Sequence, residues 1–397
     1  MKIISVVGAR PNFMKIAPFV KAIKAHNAKL SIPNIEHILV HTGQHYDHRM
    51  SKAFFDDFEL PDADINLGIG SGTHAEQVGQ TMISFEKVLK AEKPDWVVVV
   101  GDVNATLACS VTAKKEWIKC CHIEAGLRSG DMTMPEEINR LVTDRLSDLL
   151  LAPDIFSVQN LRSEGVPDQR IRLVGNIMID TLEESRPKAS QLDINKIITD
   201  NIINNSSHFS PLTSNISPLT SPLREKVEDE KYAVITIHRP SNVDDKEVLT
   251  SLVRFFIETA KPEFPFLWPV HPRTKKQLDA FGLYQEVLDH PGIMLLEPLG
   301  YYDMLRLNMG AKVLLTDSGG LQEECTVLGT PFITLRQNTE RPVTLTLHGG
   351  SGVLAGSDIN LLKSEFKAAL NRSRMPVKPP LWDGKTAERC LKAILEF

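Results

Sequence analysis

The sequence predicts an α/β protein built from two doubly wound domains with a cleft between them. Three observations carry that prediction. Short runs of Val, Ile and Leu without polar alternation recur along the chain, and such runs are strands covered on both faces. Each is followed by a stretch with helical spacing, which gives βαβ units and parallel sheets. The theme fills both halves of a 397-residue chain, too long for one simple core.

The first half places strands at Ile3–Val7, His37–His41, Trp96–Val100, Cys120–Ile123 and Leu149–Ala152. Helical stretches Phe13–His26, Gln77–Glu92 and Ala105–Trp117 lie between them. The second half places strands at Tyr232–Ile237, Phe266–Val270, Ile293–Glu297, Val313–Thr316, Phe332–Leu335 and Gly352–Leu354. Its helices are Asp245–Thr259, Thr274–Phe281, Tyr302–Met309, Leu321–Leu328 and Ile359–Asn371. Residues 1–182 with 382–397 form the expected first domain, and 183–381 the second. The last segment, Lys385–Phe397, is helical in pattern and is expected to cross back onto the first domain. A segment near 204–224 breaks the rhythm, with Asn204-Asn205-Ser206-Ser207 and two copies of Ser-Pro-Leu-Thr-Ser at 210–214 and 217–221. Pro, Ser and Asn do not fill a helix or a central strand, so Ser206–Leu223 reads as a surface loop inserted beside the interdomain linker. A lid or a partner contact is the alternative reading.

Composition narrows the function. Hydrophobic residues are 42% and charged residues 24%, and the net charge is −5, which leaves no basic footprint for nucleic acid. No apolar run spans a bilayer, and the N-terminus enters a strand without a charged leader, so the expected setting is cytoplasmic. The five cysteines have no zinc-ligand spacing and read as reduced, buried thiols.

The motifs fall at strand ends, where doubly wound domains bind ligands. Ile3–Val7 runs into Gly8-Ala9-Arg10-Pro11-Asn12 and a helix carrying Lys15; this glycine turn offers backbone N–H groups, and Arg10 and Lys15 add charge, to an anion. The G-x-G-x-x-G and P-loop patterns are absent. Val313–Thr316 leads into Asp317-Ser318-Gly319-Gly320, where two glycines let the backbone approach a diphosphate and Ser318 donates a hydrogen bond. Glu324, a turn further on, suits ribose hydroxyls. Asp102, Glu124 and Glu136 sit beyond strand ends or in the loops that follow. One carboxylate there is ordinarily a helix cap, a reading open for Asp102. Three that converge are less easily explained that way, and two on opposite faces of a sugar carbon can remove a proton from one side and return it on the other. Glu137 faces outward or pairs with Arg140. His238 and His271 each follow a strand of the second domain; His238 is either a structural hydrogen-bonder or a phosphate contact, and Arg341 is another phosphate-grade donor. No side-chain cluster has metal spacing, and Gly-x-Ser-x-Gly is missing.

Taken together, Gly8-Ala9-Arg10-Pro11, the run His122 to Arg128 (His-Ile-Glu-Ala-Gly-Leu-Arg), Met134 to Arg140 (Met-Pro-Glu-Glu-Ile-Asn-Arg) and Thr339-Glu340-Arg341-Pro342 resemble the non-hydrolysing UDP-N-acetylglucosamine 2-epimerases over nearly the whole chain. The resemblance implies two Rossmann-like domains in the B-type glycosyltransferase architecture, a homodimer, and a reaction without cofactor or metal. It implies that UDP leaves C1 as the C2 proton is removed, giving 2-acetamidoglucal, and then re-adds once the proton has returned on the opposite face. The implied catalytic residues are Asp102, Glu124, Glu136 and His238. The implied UDP contacts are Arg10, Lys15, His238, His271, Ser318, Gly319, Gly320, Glu324 and Arg341.

The sequence also departs from the pattern. Arg-Glu-Asn after the His-Arg motif is here Pro240-Ser241-Asn242. Members activated by a second UDP-sugar carry two glutamines and an arginine; here Gln44 matches the first, Asp47 replaces the second, and the arginine region reads Gly70-Ser71-Gly72-Thr73. Activity on UDP-GlcNAc without a lag is therefore expected. A UDP-diacetamido-sugar acid is an alternative substrate. A hydrolysing epimerase releasing UDP and ManNAc, a B-type glycosyltransferase and a UDP-sugar sensor are the rival readings.

Overall fold

In the computed structural model of the chain, residues 1–8, 10–43, 62–203 and 226–397 are described, apart from the side chains of Arg10 and Pro11. The inserted segment near 204–224, Gln44 and Asp47 lie outside the described residues.

The chain divides into two compact units. The first comprises Met1–Glu184, Glu340–Val343 and Lys378–Phe397; the second comprises Ser185–Thr339 and Thr344–Val377. Among the described residues the first unit holds a parallel sheet of seven strands: β1 (Lys2–Val7), β2 (Glu36–His41), β3 (Ile65–Asn66), β4 (Trp96–Val100), β5 (Lys119–Ile123), β6 (Leu149–Ala152) and β7 (Ile171–Leu173). Their order is β3-β2-β1-β4-β5-β6-β7. The second unit holds a parallel sheet of β8 (Ala233–Thr236), β9 (Phe266–Pro269), β10 (Ile293–Leu296), β11 (Val313–Thr316), β12 (Phe332–Thr334) and β13 (Gly352–Leu354), in the order β10-β9-β8-β11-β12-β13. The expected α/β class with two doubly wound parallel sheets is what the chain forms.

The apolar runs account for this directly. All five residues of β4, Trp96-Val97-Val98-Val99-Val100, are buried. Successive side chains of a strand point to opposite faces, so both faces of each sheet need a cover. In the second unit Ile235, Leu315 and Trp268 join one core, while Val234, Leu314 and Leu267 join another on the other face. In the first unit Ile4, Val6, Val97 and Val99 pack with Phe85 and Leu89 of the helix His74–Glu92 and with Cys109 and Ala113 of the helix Asn104–Lys115.

The two short edge strands β3 and β7 escape the sequence reading, because two or three residues carry no periodicity. The helices Pro135–Leu146, Ile155–Ser163, Ile177–Ser190 and Ile194–Asn201 also go beyond the elements expected from pattern. The last helix, Thr386–Leu395, closes on the first unit. Asp180 accepts the backbone N–H groups of Thr386 (2.9 Å) and Ala387 (2.7 Å), and the Trp382 indole donates to the Pro153 carbonyl at 2.9 Å. All five cysteines are buried and unbridged. No helix among the described residues is long and apolar enough to cross a membrane.

Candidate active site

Each sheet order reverses once, between β1 and β4 in the first unit and between β8 and β11 in the second. Ligands of open parallel sheets bind beyond the strand ends at such a switch point. The charged residues singled out in the sequence cluster at both.

In the first unit, β1 ends just before Gly8 and the helix Arg10–Ala28 begins two residues after that glycine. Asn12 ties that turn to the next strand: its Oδ1 accepts from the Gly8 N–H at 3.2 Å and its Nδ2 donates to the Val100 carbonyl at 3.0 Å. Lys15, one turn in and buried, forms an ion pair with the Glu124 carboxylate, which is itself 2% exposed. Only Oε2 of Glu124 is engaged; Oε1 is buried with no hydrogen-bond partner among the described residues. Glu124 has φ +71°, a left-handed conformation that costs a non-glycine residue on the order of 1–3 kcal/mol. Its N–H donates to the Leu151 carbonyl at 3.1 Å, which helps hold it there.

Gly101 (φ +69°) packs closely against these groups. A Cβ on it would stand 3.3 Å from Asn12 Nδ2, 3.4 Å from Lys15 Nζ and 3.5 Å from Glu124 Oε2. The next residue is Asp102. It is not a helix cap: the helix Asn104–Lys115 has Val103 at that position, without a side-chain cap bond. The Asp102 carboxylate instead pairs with Arg140, whose guanidinium is 2% exposed. Burial pushes the Asp102 carboxyl up, but Arg140, with Lys15 and Arg341, outweighs that and holds it below the usual carboxylate range. Asn139 donates to the Asp102 carbonyl at 2.8 Å.

Arg140 gathers further carboxylates. It pairs with Glu137 at 2.7 Å and lies 3.8 Å from Glu340, which in turn pairs with its neighbour Arg341. Of the two readings offered for Glu137, facing outward is overturned. Its carboxylate is buried, and it accepts from the Ser129 and Gly130 N–H groups (3.0 to 3.1 Å) as well as from Arg140. Glu136 is half-buried in the first turn of the helix Pro135–Leu146, on the face that three- and four-residue spacing gives it with Asn139 and Arg140. The Arg10 side chain is outside the described residues.

In the second unit, Asp317 is the organising group. It is fully buried at the end of β11 and accepts from the N–H groups of His238 (2.9 Å) and Arg239 (2.9 Å) and from the Asn242 amide (3.0 Å). His238 Nδ1 lies 3.0 Å from it, which leaves the Nε2 edge of a 37% exposed ring facing outward. Burial raises the Asp317 carboxyl, and these bonds, His238 first, more than reverse that. His271 lies 5.4 Å from His238 with the ring planes tilted by 37°, and accepts the Arg273 N–H on Nδ1 at 3.1 Å, capping the helix Pro272–Ala280. Its ring proton therefore sits on Nε2.

Ser318, Gly319 and Gly320 open the helix Gly319–Leu328, whose first N–H groups have no intrahelical partner. The Ser318 side chain makes no cap bond, and a Cβ on Gly320 would meet nothing within 4 Å. Glu324, buried on that helix, has its carboxyl pushed up to about 7 by burial, with Glu323 adding and Tyr301 and Asn308 opposing.

Several of these partners escape sequence reasoning. Asn12, Glu340, Asp317 and Asn242 all lie inside quoted motifs, and Arg140 was read only as a partner of Glu137, but residue type does not tell a ligand contact from a buried brace. A charged residue in a motif next to a buried strand is the available signal.

Two doubly wound sheets with charged groups at both switch points define an α/β enzyme of B-type glycosyltransferase-like architecture. Comparison with known proteins narrows this. The family model described as UDP-N-acetylglucosamine 2-epimerase matches residues 28–395. The UDP-N-acetylglucosamine 2-epimerase of Methanocaldococcus jannaschii is 38% identical over 396 residues, covering 99% of both chains. A crystal structure of the enzyme of that name from the same organism, in complex with UDP-GlcNAc and UDP, superimposes with a TM-score of 0.84 at 37% identity over the whole of both chains. The UDP-2,3-diacetamido-2,3-dideoxy-D-glucuronate 2-epimerase of Pseudomonas aeruginosa is 34% identical, covering 94% of this chain and 93% of its own. The chain belongs to the UDP-N-acetylglucosamine 2-epimerase family and is an isomerase.

Proposed function

We propose that this enzyme interconverts UDP-N-acetylglucosamine and UDP-N-acetylmannosamine by eliminating and re-adding UDP, without hydrolysis. The observation that carries the proposal is the carboxylate set at the first switch point: Glu124 on Lys15, packed against Gly101, and Asp102, the residue after Gly101, on Arg140.

The chemistry follows from the substrate. The C2 proton is not next to a carbonyl, so a base alone does not remove it. The C1–O bond to UDP must break as the proton leaves, and the electron pair of the C2–H bond becomes the C1=C2 double bond of 2-acetamidoglucal. The electron pair of the C1–O bond goes to the UDP oxygen. In the return step a carboxyl group delivers a proton to the opposite face of C2 while a UDP oxygen re-forms the bond to C1. The sequence is redox-neutral. It needs a proton acceptor and a donor on two faces, which Asp102, Glu124 and Glu136 supply, and strong stabilisation of a leaving pyrophosphate.

The second unit's anion pocket serves that leaving group. Asp317 orients His238 so that Nε2 faces a phosphate oxygen. His271 adds an Nε2–H, the helix N-terminus at Ser318-Gly319-Gly320 adds backbone donors, and Glu324 holds ribose hydroxyls. The family resemblance also assigns Lys15, Arg10 and Arg341 to UDP contacts. UDP binding in the M. jannaschii relative supports this reading. So does UDP-GlcNAc in a Neisseria meningitidis epimerase structure at 29% identity and a TM-score of 0.81. We also infer a homodimer, to be checked by sedimentation.

The decisive experiment is turnover of UDP-GlcNAc in heavy water. Deuterium at C2 of both epimers, with no free sugar released, is the expected result. Free ManNAc means a hydrolase, and no exchange means a binding protein. The P. aeruginosa relative supports a second reading, a UDP-diacetamido-uronate substrate. Deuterium exchange into that compound but not into UDP-GlcNAc selects it.

A further inference from the structure

We infer that His122 is a positioning residue for the carboxylate set, its ring bridging the turn that carries Asp102 to the turn that carries Glu124. The inference rests on the catalytic reading of those carboxylates given above.

His122 is fully buried, in β5 two residues before Glu124, and no substrate reaches it. Its Nε2 lies 2.9 Å from the carbonyl of Gly101, the residue before Asp102. Its Nδ1 lies 2.6 Å from Asp144 Oδ1. The other Asp144 oxygen accepts from the Gly126 N–H at 2.9 Å and from Arg128 at 2.7 Å. Arg128 is in turn held by both oxygens of Glu164, at 2.7 and 2.8 Å. One connected set of bonds therefore runs from the residue before Asp102, through the ring, to a residue two beyond Glu124.

The proton count is specific. A carbonyl only accepts. Asp144 also only accepts while ionised: burial raises its carboxyl, but His122 and Arg128 outweigh this and hold it below the ordinary range. The ring must therefore donate from both nitrogens, so both N–H groups are fixed and neither is available for exchange with a ligand. The bridge is placed where restraint is needed. Gly101 (φ +69°), Glu124 (φ +71°) and Gly126 (φ +86°) are all left-handed, and the Gly101 N–H ties the same two turns by donating to the Ile123 carbonyl at 3.2 Å. Left-handed residues persist only where their surroundings over-determine them.

The test uses the full-length enzyme and the variants His122→Gln and Asp144→Asn. With the turns loosened, misplacement of the carboxylates is expected to lower kcat about 10- to 100-fold. KM and the Kd for UDP should stay within about 3-fold, since of the residues assigned to UDP only Lys15 touches the loosened turn, while His238, His271, Ser318, Gly319, Gly320 and Glu324 lie in the second unit. In the parent, 15N spectra of ring-labelled protein should show His122, assigned through Cys121 and Ile123, with two slowly exchanging N–H protons. A kcat within 2-fold of the parent in both variants overturns the inference. So does a His122 ring with a single N–H, which decides the matter if the variants do not fold. Absence of turnover in the parent counts against the assigned reaction instead, and the ring spectrum is unaffected by it.

Discussion

Replacing Gly101 by alanine tests whether the two paired carboxylates depend on the glycine that precedes Asp102 and packs against Glu124. Two costs follow from the structure. The left-handed φ of +69° penalises a residue with a Cβ by about 1–2 kcal/mol. The new methyl would stand 3.3 Å from Asn12 Nδ2, which must give way by a few tenths of an ångström, and would meet Lys15 Nζ and Glu124 Oε2 at ordinary contact distances of 3.4 and 3.5 Å. At about 2–4 °C per kcal/mol for a unit of this size, the backbone cost alone lowers the melting temperature by about 2–8 °C, and the crowding adds to it. The displacement acts on Asn12, whose two bonds set the turn ahead of the helix that carries Lys15, and kcat should fall about 10- to 100-fold. Gly165→Ala is the matched control. Gly165 has φ +79° with nothing within 4 Å of an added Cβ, so it carries the backbone cost without the crowding. The assay is epimer formation from UDP-GlcNAc alongside thermal unfolding of all three proteins. Equal melting shifts with full activity in Gly101→Ala would refute the reasoning, because the crowding would then have no catalytic effect.

Lys15→Met leaves Glu124 buried without its cation, so it should destabilise by about 3–5 kcal/mol, and much of that loss should vanish in Lys15→Met with Glu124→Gln; additive urea-denaturation losses would contradict the pairing. The Glu324 carboxyl is pushed from an ordinary 4.5 up to about 7 in the folded protein, which then binds more protons than the unfolded chain between those values. Stability should therefore fall as pH rises from about 4.5 to about 7, by an amount on the order of 3 kcal/mol, and stay lower above it. Glu324→Gln should remove that loss and weaken UDP binding, and a stability gap between variant and parent that is constant from about pH 5 to about pH 8 would refute the assignment.

The sheets were legible because their strands are runs such as Trp96–Val100 and Val313–Thr316, whose burial leaves no room for polar residues. The edge strands Ile65–Asn66 and Ile171–Leu173 were not, since they are too short to show a period. At the site, the residue types and their positions after strands were readable, but the partners, the Glu137–Arg140 pair apart, were not. Asp102 offered a helix cap on sequence grounds; that it reaches Arg140 instead depends on where the helix Pro135–Leu146 lands, a fact of tertiary packing. Asp317 read only as part of a glycine turn, because nothing local reveals that the His238 and Arg239 N–H groups converge on it from 79 and 78 residues earlier. His122 likewise looked like one letter of a motif, and its two acceptors come from different loops.

The clasp between the chain's last residues and the first unit bears on biosynthesis. Trp382 reaches back 229 positions to Pro153, and Asp180 waits for amides 206 and 207 positions downstream. While the ribosome still holds the tail, the earliest-made half lacks the piece that caps it. The half synthesised second can finish its own sheet before the half synthesised first is sealed, so the order of emergence and the order of completion run opposite ways.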